Sequence, residues 1–508
     1  MTAIRVLLLV VLAGAANAAP LVFVRHDFDS QNLGQVSEGM NVGDIDGDGR
    51  PDIVEGGENA LIWYHNPDWT PQVIGSGLRY SAGAMAIVRD MDGDGRLDVL
   101  TGRYPISDTG QRESVWFANT PGGWVEHVFS PTAFCHDLAF GDLDGDGRDD
   151  AICDDQFLAE IDLLFGPADP TAPWPKKTID SRHPMGAAVA DIDRDGRLDV
   201  LSGRAWYRNE PGGTWPRFPL TTLAPAVDTF FADHSKLSVL DLDGDGRLDV
   251  FATIFADSRE SKVFAFLAPP DPVHQAWTAV EVDAGPLWGV HSQGVGDFDG
   301  SRRVQVMVGE PNSAGFGFGN NPSPEVFVYR LLGVAADATA WEKTRVDTVG
   351  TFEAQVTDVD GDGFSDIVGH EGNPAYPDPR AHGRVSWWQS IVTAPPPGSP
   401  PTTLPPGTPA PPTGCAGSAA GSIGCVCQTR AVPTCAGESV PGAVAHCLER
   451  TCRLRARATE AGAARARRLR RTAGRAVGRA ARRAARAAAR GRISAPCAAG
   501  FAQLAVGG

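Results

Sequence analysis

No apolar run in this 508-residue chain reaches the roughly 20 residues that a membrane-spanning helix needs; the stretch from Val6 to Ala13 falls well short. That length argues against an uncleaved N-terminal membrane anchor. The chain also lacks a Ser-His-Asp signature, a Gly-rich phosphate loop and an HExxH helix, so the familiar sequence marks of hydrolytic and nucleotide chemistry are absent. Histidine is sparse, at eleven residues, which makes any recurrent histidine position informative. From residue 21 to 391 no segment carries helical periodicity.

What the chain does have is a recurrent nine-residue acidic loop of the form D-x-D-G-D-G-x-x-D. Good copies comprise Asp44, Asp46, Asp48, Arg50 and Asp52; Asp90, Asp92, Asp94, Arg96 and Asp98; and Asp142, Asp144, Asp146, Arg148 and Asp150. Three more comprise Asp191, Asp193, Asp195, Arg197 and Asp199; Asp241, Asp243, Asp245, Arg247 and Asp249; and Asp358, Asp360, Asp362, Phe364 and Asp366. Four carboxylates in nine residues repel one another unless a cation lies among them. Alternate Asp side chains plus one backbone carbonyl, here from Arg50 and its equivalents, form an all-oxygen Ca2+ cage. Five or six structural Ca2+ sites are therefore expected. The fourth loop has Arg194 where Gly is usual. A seventh copy, Asp297-Phe-Asp299-Gly-Ser301-Arg-Arg-Val-Gln305, has lost two carboxylates and is not expected to hold metal. An EF-hand fits only the first loop, through Glu55 at position twelve, and the flanks read as strands rather than helices.

The loops recur at intervals of 46, 52, 49, 50, 56 and 61 residues, a period of propellers or solenoids. Each interval holds an apolar run before the loop, a β-branched run after it and an aromatic-rich run such as Leu61-Ile-Trp-Tyr64 or Val326-Phe-Val-Tyr329. A turn signal (Asn66-Pro, Asn119-Thr-Pro-Gly-Gly123, Asn209-Glu-Pro-Gly-Gly213) and a fourth run often opening on Trp follow. Four strands per unit, repeated seven times, predict an all-β, seven-bladed propeller. The last unit lacks a fourth strand, and the orphan run Leu21–Phe28 is expected to supply it and close the ring. On these residues the chain resembles the FG-GAP/VCBS repeat proteins, known from integrin α-chain propellers and secreted bacterial proteins, over roughly 21–391. The resemblance implies the fold and calcium loops; it does not by itself imply an activity.

The N-terminus reads as a secretory signal: Arg5, an apolar core, then Ala16-Asn-Ala18, with cleavage expected between Ala18 and Ala19. A secreted, periplasmic or cell-surface location suits weak calcium sites, because millimolar Ca2+ fills them there. The expected domains are the signal at 1–18, the propeller at 19–393, a Pro-rich linker at 394–413 and a Cys-rich, Arg/Ala-rich helical module at 414–508. Cys415, Cys425, Cys427, Cys435, Cys447, Cys452 and Cys497 read as disulfide partners, an odd set unless Cys135 or Cys153 joins it. Zinc is the competing reading, but Cys425-Val-Cys427 is too tight for the usual ligand pair. Residues 453–492 hold fifteen arginines against one acid, so the rest of the chain carries a formal −31 of the total −17. This basic segment suits an anionic surface; a solvated helix, or one facing the acidic propeller, is the plainer reading, and nucleic acid is not the expected partner.

His136, His183, His234 and His291 each stand six to eight residues before their loop's first Asp, and Glu38 holds the same offset in the first unit. They belong to segments entering the innermost strands, on the face opposite the calcium loops. Convergence there suits a small ligand or a transition metal, since imidazole and carboxylate favour Zn or Mn over Ca. Two functions remain open: an exported module binding carbohydrate or extracellular protein, and a carbohydrate-active enzyme, a lyase or dehydratase, with a metal or histidine site at the channel mouth.

Overall fold

The computed structural model describes residues 20–29, 37–57, 59–80, 86–104, 112–155, 158–182, 185–221, 234–254, 261–311, 321, 323–370 and 384–392, with the side chains of Asp29, Ser37 and Glu38 left out. The signal segment, the linker, the seven C-terminal cysteines and the Arg/Ala segment lie outside the described residues.

Seven antiparallel sheets of four strands, one with an extra short strand, account for the described fold, as the repeat predicts. Each second strand begins on the loop's ninth residue: Asp52–Gly57, Asp98–Tyr104, Asp150–Asp155, Asp199–Ser202, Asp249–Ile254, Gln305–Gly309 and Asp366–His370. The first strands are Ser37–Gly43, Ile87–Arg89, Cys135–Gly141, Ala187–Ala190, Ser235–Leu240, Ser292–Val295 and Phe352–Thr357. The innermost strand of each sheet lies beside that of the next, or beside its neighbour's second strand, and Phe352–Thr357 lies beside Ser37–Gly43, so the ring is closed. In the second blade the innermost position is split, with Arg79–Tyr80 and Ile87–Arg89 both pairing the second strand.

The orphan strand does what its sequence predicts. Phe23–Asp29 pairs antiparallel with Val385–Ser390, with Phe23 opposite Ser390 and Arg25 opposite Trp388, so the last blade joins both ends of the ring. The core consists of one apolar layer between each pair of neighbouring blades. Val54 and Leu61 meet Val99 and Phe117 between the first two blades, and Val359 and Val368 meet Ile53 and Tyr64 between the seventh and the first. Second strands are therefore buried on both faces, every residue of Asp52–Gly57 included. Fourth strands alternate because only one face is covered, as in Trp341–Asp347.

Cys135 and Cys153 are bonded to each other across the first two strands of the third blade, with Cα atoms 5.0 Å apart. Neither is available to even out the C-terminal cysteines. The EF-hand alternative fails too: Glu55 is buried in the second strand and accepts from the Tyr64 hydroxyl at 3.2 Å. Deleting residues 20–29 is expected to expose the edge of the last blade and lower the melting temperature of the whole ring, read by calorimetry; an unchanged transition would contradict closure by this strand.

Candidate functional site

The acidic loops share one conformation. The first Asp accepts from the sixth residue's N–H, as in Gly49 N to Asp44 Oδ2 at 3.0 Å and Gly363 N to Asp358 Oδ2 at 2.9 Å. The third accepts from the fifth residue, and the fifth from the seventh, as in Asp48 N to Asp46 Oδ1 at 3.0 Å and Arg50 N to Asp48 Oδ1 at 2.8 Å. Glycines at positions four and six take positive φ, 79° and 97° in the first loop; in the fourth, Arg194 takes the same left-handed backbone at φ 62°, which is unfavourable for a non-glycine residue. The ninth Asp is buried and spoken for: Asp52 accepts from Ile45 N at 3.1 Å and from Asn66 N at 2.8 Å, tying the loop to the end of the third strand. Burial, partly offset by those bonds, raises the carboxyls of Asp98 and Asp249 to about 6 and of Asp199 and Asp366 to about 7.

These residues fit a cation. Carboxylate oxygens of Asp90, Asp92 and Asp94, of Asp142, Asp144 and Asp146, and of Asp241, Asp243 and Asp245 each converge within 4.8 Å. Asp191, Asp193 and Asp199 do the same, and in the first loop His65 joins Asp46 and Asp48. Asp44 Oδ1 and Asp191 Oδ1 are buried without any hydrogen-bond partner, the condition of an oxygen meant for a metal. The seventh-position arginines reach back to the fifth Asp in four loops, pairing Arg96 with Asp94, Arg148 with Asp146, Arg197 with Asp195 and Arg247 with Asp245.

The decayed loop has found its own cation. Arg330, fully buried, sets Nη1 2.5 Å from Asp299 Oδ2 and pairs with Glu342 as well. Gln305, in place of the ninth Asp, donates to Asp299 Oδ1 at 2.6 Å. A guanidinium and an amide thus occupy the carboxylate that a metal would need.

On the opposite face, the segments entering the innermost strands bring charged side chains together. His136 Nδ1 lies 2.7 Å from Asp137 Oδ2, and His291 Nδ1 lies 2.6 Å from Glu353 Oε1. Lys236 Nζ bridges the two carboxylates, 2.9 Å from Asp137 Oδ1 and 3.0 Å from Glu353 Oε1. The His136 and His291 rings meet edge to face with centroids 6.0 Å apart, and His291 stacks on Phe352 at 4.2 Å. Four blades contribute: the third, fifth, sixth and seventh. His136, Asp137, His291 and Glu353 are 9% exposed or less.

The backbone is bent to make this possible. Pairing slips between Cys135 and Asp137 and between Phe352 and Gln355, bulges that re-aim the side chains at the strand entrance. Glu353 sits at φ 48°, a left-handed conformation that costs a non-glycine residue about 1–3 kcal/mol. Gly186 donates to Asp137 Oδ2 at 3.2 Å; at φ 99° and against Ser235 O, no Cβ fits there. Burial pushes the Asp137 carboxyl up, but Lys236 and His136 outweigh it and hold it well below the usual range. Burial likewise opposes Lys236 and His291 at Glu353, which ends at about 2. Burial pushes His291 down, with Lys236 and His136 adding to the effect against Glu353. Nearby Asp154 is pushed well up by burial and by Asp137; its Oδ2 accepts from Ser202 at 2.9 Å.

Of the five residues the sequence singles out here, the structure brings His136 and His291 together. His234 is buried next to the same strand entrance and forms a parallel bridge with Met185. His183 and the Glu38 side chain lie outside the described residues. Asp137, Lys236 and Glu353 are the residues that the histidine pattern misses. They too occupy one offset, five residues before the first Asp of their loops.

Seven four-stranded blades around a closed ring define a β-propeller. The FG-GAP-like repeat family matches at residues 44–101 and 90–153, within the first three blades. A comparison with curated protein sequences gave no match. Among solved structures, the V. cholerae biofilm matrix protein Bap1 aligns at 18% identity and TM-score 0.32 over 57% of this chain, which spans only 43% of that one. The GH93 α-L-arabinofuranosidase of Fusarium graminearum, in complex with arabinobiose, aligns at 12% identity and TM-score 0.39, over 74% of this chain and 98% of that one. The intramolecular trans-sialidase from Ruminococcus gnavus aligns at 9% identity and TM-score 0.33, over 70% and 94%.

Replacing Lys236 by Met leaves two buried carboxylates without their cation and is expected to cost about 3–5 kcal/mol in urea unfolding at pH 7. Glu353 and Asp137, depressed in the folded wild type, stabilise it above their unfolded values, 4.5 and 3.8, and that contribution is lost as pH falls through the folded ones. In the variant both carboxyls rise instead, so its deficit should shrink between pH 7 and pH 4. A deficit that is small, or constant with pH, would contradict this ionisation scheme.

Proposed function

We propose that the chain is an exported, calcium-stabilised β-propeller that works as a binding module for a carbohydrate or an extracellular protein, with its ligand at the channel mouth opposite the acidic loops. The observation that carries this reading is the division of labour between the two faces. One face repeats cation-fitted loops around the ring; the other gathers unlike residues from four blades into one strained, buried polar cluster. A repeated feature serves the scaffold, whereas a unique convergence is what a ligand site requires.

Calcium at the loops beginning at Asp44, Asp90, Asp142, Asp191 and Asp241 is supported by the convergent oxygens and by the orphaned Asp44 and Asp191 atoms, and at the loop beginning at Asp358 by the same backbone hydrogen-bond pattern. Bound there, it would supply the positive charge that holds the loops folded. The Cys135–Cys153 disulfide supports export to an oxidising compartment, in keeping with a cleaved signal at 1–18, a linker at 394–413 and a separate module at 414–508. A carbohydrate-active enzyme is the second reading. It is favoured by the two imidazole–carboxylate pairs, since a carboxylate on one ring nitrogen prepares the other for proton transfer.

The test has two arms. Chelation by EGTA should lower the melting temperature markedly, because each site filled at one hundred times its dissociation constant adds about 2.7 kcal/mol; Asp46→Ala should reproduce part of the loss. An EGTA-insensitive melt would contradict structural calcium. Screening the calcium-loaded protein on glycan and extracellular-protein arrays should reveal a ligand whose binding is lost in the His136→Ala, His291→Ala double variant. Undiminished binding by that variant would move the ligand site elsewhere.

A further inference from the structure

One position near the end of each third strand faces the acidic loop. It is the residue whose successor donates its N–H to the ninth Asp, as Asn66 does to Asp52 and Asn209 to Asp199, both at 2.8 Å. In the first, fourth and seventh blades this residue is His65, Arg208 and Gln389, and each touches the loop's third Asp. His65 Nε2 lies 2.8 Å from Asp46 Oδ2, Arg208 Nε 2.5 Å from Asp193 Oδ2 and Gln389 Nε2 2.5 Å from Asp360 Oδ2. The sixth blade has Arg330 at the equivalent place, the guanidinium that takes Asp299 in the decayed loop. In the second, third and fifth blades the residue is Ala118, Phe165 or Leu267, whose side chains cannot hydrogen-bond to a carboxylate.

This column sorts the loops. Where it is apolar, the first, third and fifth carboxylates converge within 4.8 Å. In the fourth loop it is Asp199 that converges with Asp191 and Asp193, and Arg208 covers Asp193, leaving that side chain 6% exposed against 28% for Asp46. Arg208 Nη2 also comes to 3.4 Å from Asp195 Oδ2, and Arg197 pairs with the same carboxylate. Arg194 adds a third guanidinium to this loop, its Nη2 close to Gly246 of the next one. The second, third and fifth loops have one arginine each on the fifth Asp, and the seventh has Phe364 and the neutral Gln389. Positive charge is thus concentrated on the fourth loop, which still keeps all four carboxylates.

We propose that Arg208 competes with calcium for Asp193 and makes the fourth loop the last of the six to fill as free Ca2+ rises. The proposal rests on the reading of these loops as calcium sites and gives them an order of filling. Filling the fourth loop requires Arg208 to release a charge-assisted hydrogen bond, whereas the apolar column residues have nothing to release. A bond of that kind corresponds to a factor of roughly 10–100 in affinity. Arg330 shows the same arrangement carried further, in a loop that has lost two carboxylates. Asn209, the residue after Arg208, donates to Leu143 O of the third loop at 2.7 Å. The late step therefore acts on the seam between the third and fourth blades.

The experiment follows calcium ions on the full chain by native mass spectrometry as free Ca2+ is raised. Five ions should bind first and a sixth at roughly 10–100-fold higher free Ca2+. Asp193→Ala should remove that late ion and leave the first five. Arg208→Gln, which keeps a donor without its charge, should bring the sixth ion forward to join the others. Six ions taken up together by the wild type, a late ion that persists in Arg208→Gln, or an early ion lost in Asp193→Ala would overturn the proposal and leave the calcium reading standing. A chain that binds no calcium, with a melt insensitive to EGTA, overturns both.

Discussion

Repulsion among carboxylates crowded into nine residues is the constraint on which the loop face of this ring depends. Two unit charges 4.8 Å apart repel by about 3.5 kcal/mol at an effective dielectric constant of 20, and the loops beginning at Asp90, Asp142, Asp191 and Asp241 each hold three carboxylates within that distance. Backbone N–H groups absorb part of this, and the seventh-position arginines part more. The sixth blade shows the alternative: having lost two carboxylates, it moves Arg330 into the position of the cation. The loops are also coupled around the ring. Asn66 donates to Val359 O, Asn119 to Ile45 O and Asn209 to Leu143 O, each carbonyl belonging to the neighbouring blade's loop. Ordering one loop therefore supports the next.

The opposite face solves a different electrostatic problem. A buried ion network is weak evidence for stability, because desolvation offsets much of the attraction. Here the network is accompanied by bulged pairing and a left-handed Glu353, which cost more still. Strain and buried charge are thus held in one place, at the entrance of a closed ring.

The blade count, the loop geometry and the closing strand were all legible in the sequence because each rests on local, repeated pattern: a nine-residue motif, a period, a missing fourth strand. The Cys135–Cys153 bond was not, because cysteine spacing alone does not say which strands are neighbours. Arg330 was invisible for the same reason, lying 31 residues from Asp299. At the channel mouth, rarity made histidine conspicuous, whereas Asp137, Lys236 and Glu353 are common residue types in an acidic chain. A column drawn five residues before each loop would have aligned all three, although the bulges that turn them inward have no sequence mark. The turn residues Asn66, Asn119 and Asn209 were readable as turn signals; their second role, reaching the next blade, is a product of ring packing.

The most direct measurement of the central claim is a count of calcium ions on the intact chain by native mass spectrometry, repeated as free Ca2+ is varied through the millimolar range. Saturation at six ions, with Asp362→Ala removing one and Asp299→Ala removing none, is the predicted result. Fewer than five ions, or loss of an ion on substitution of Asp299, would contradict the assignment of these loops as the cation sites that hold the ring together.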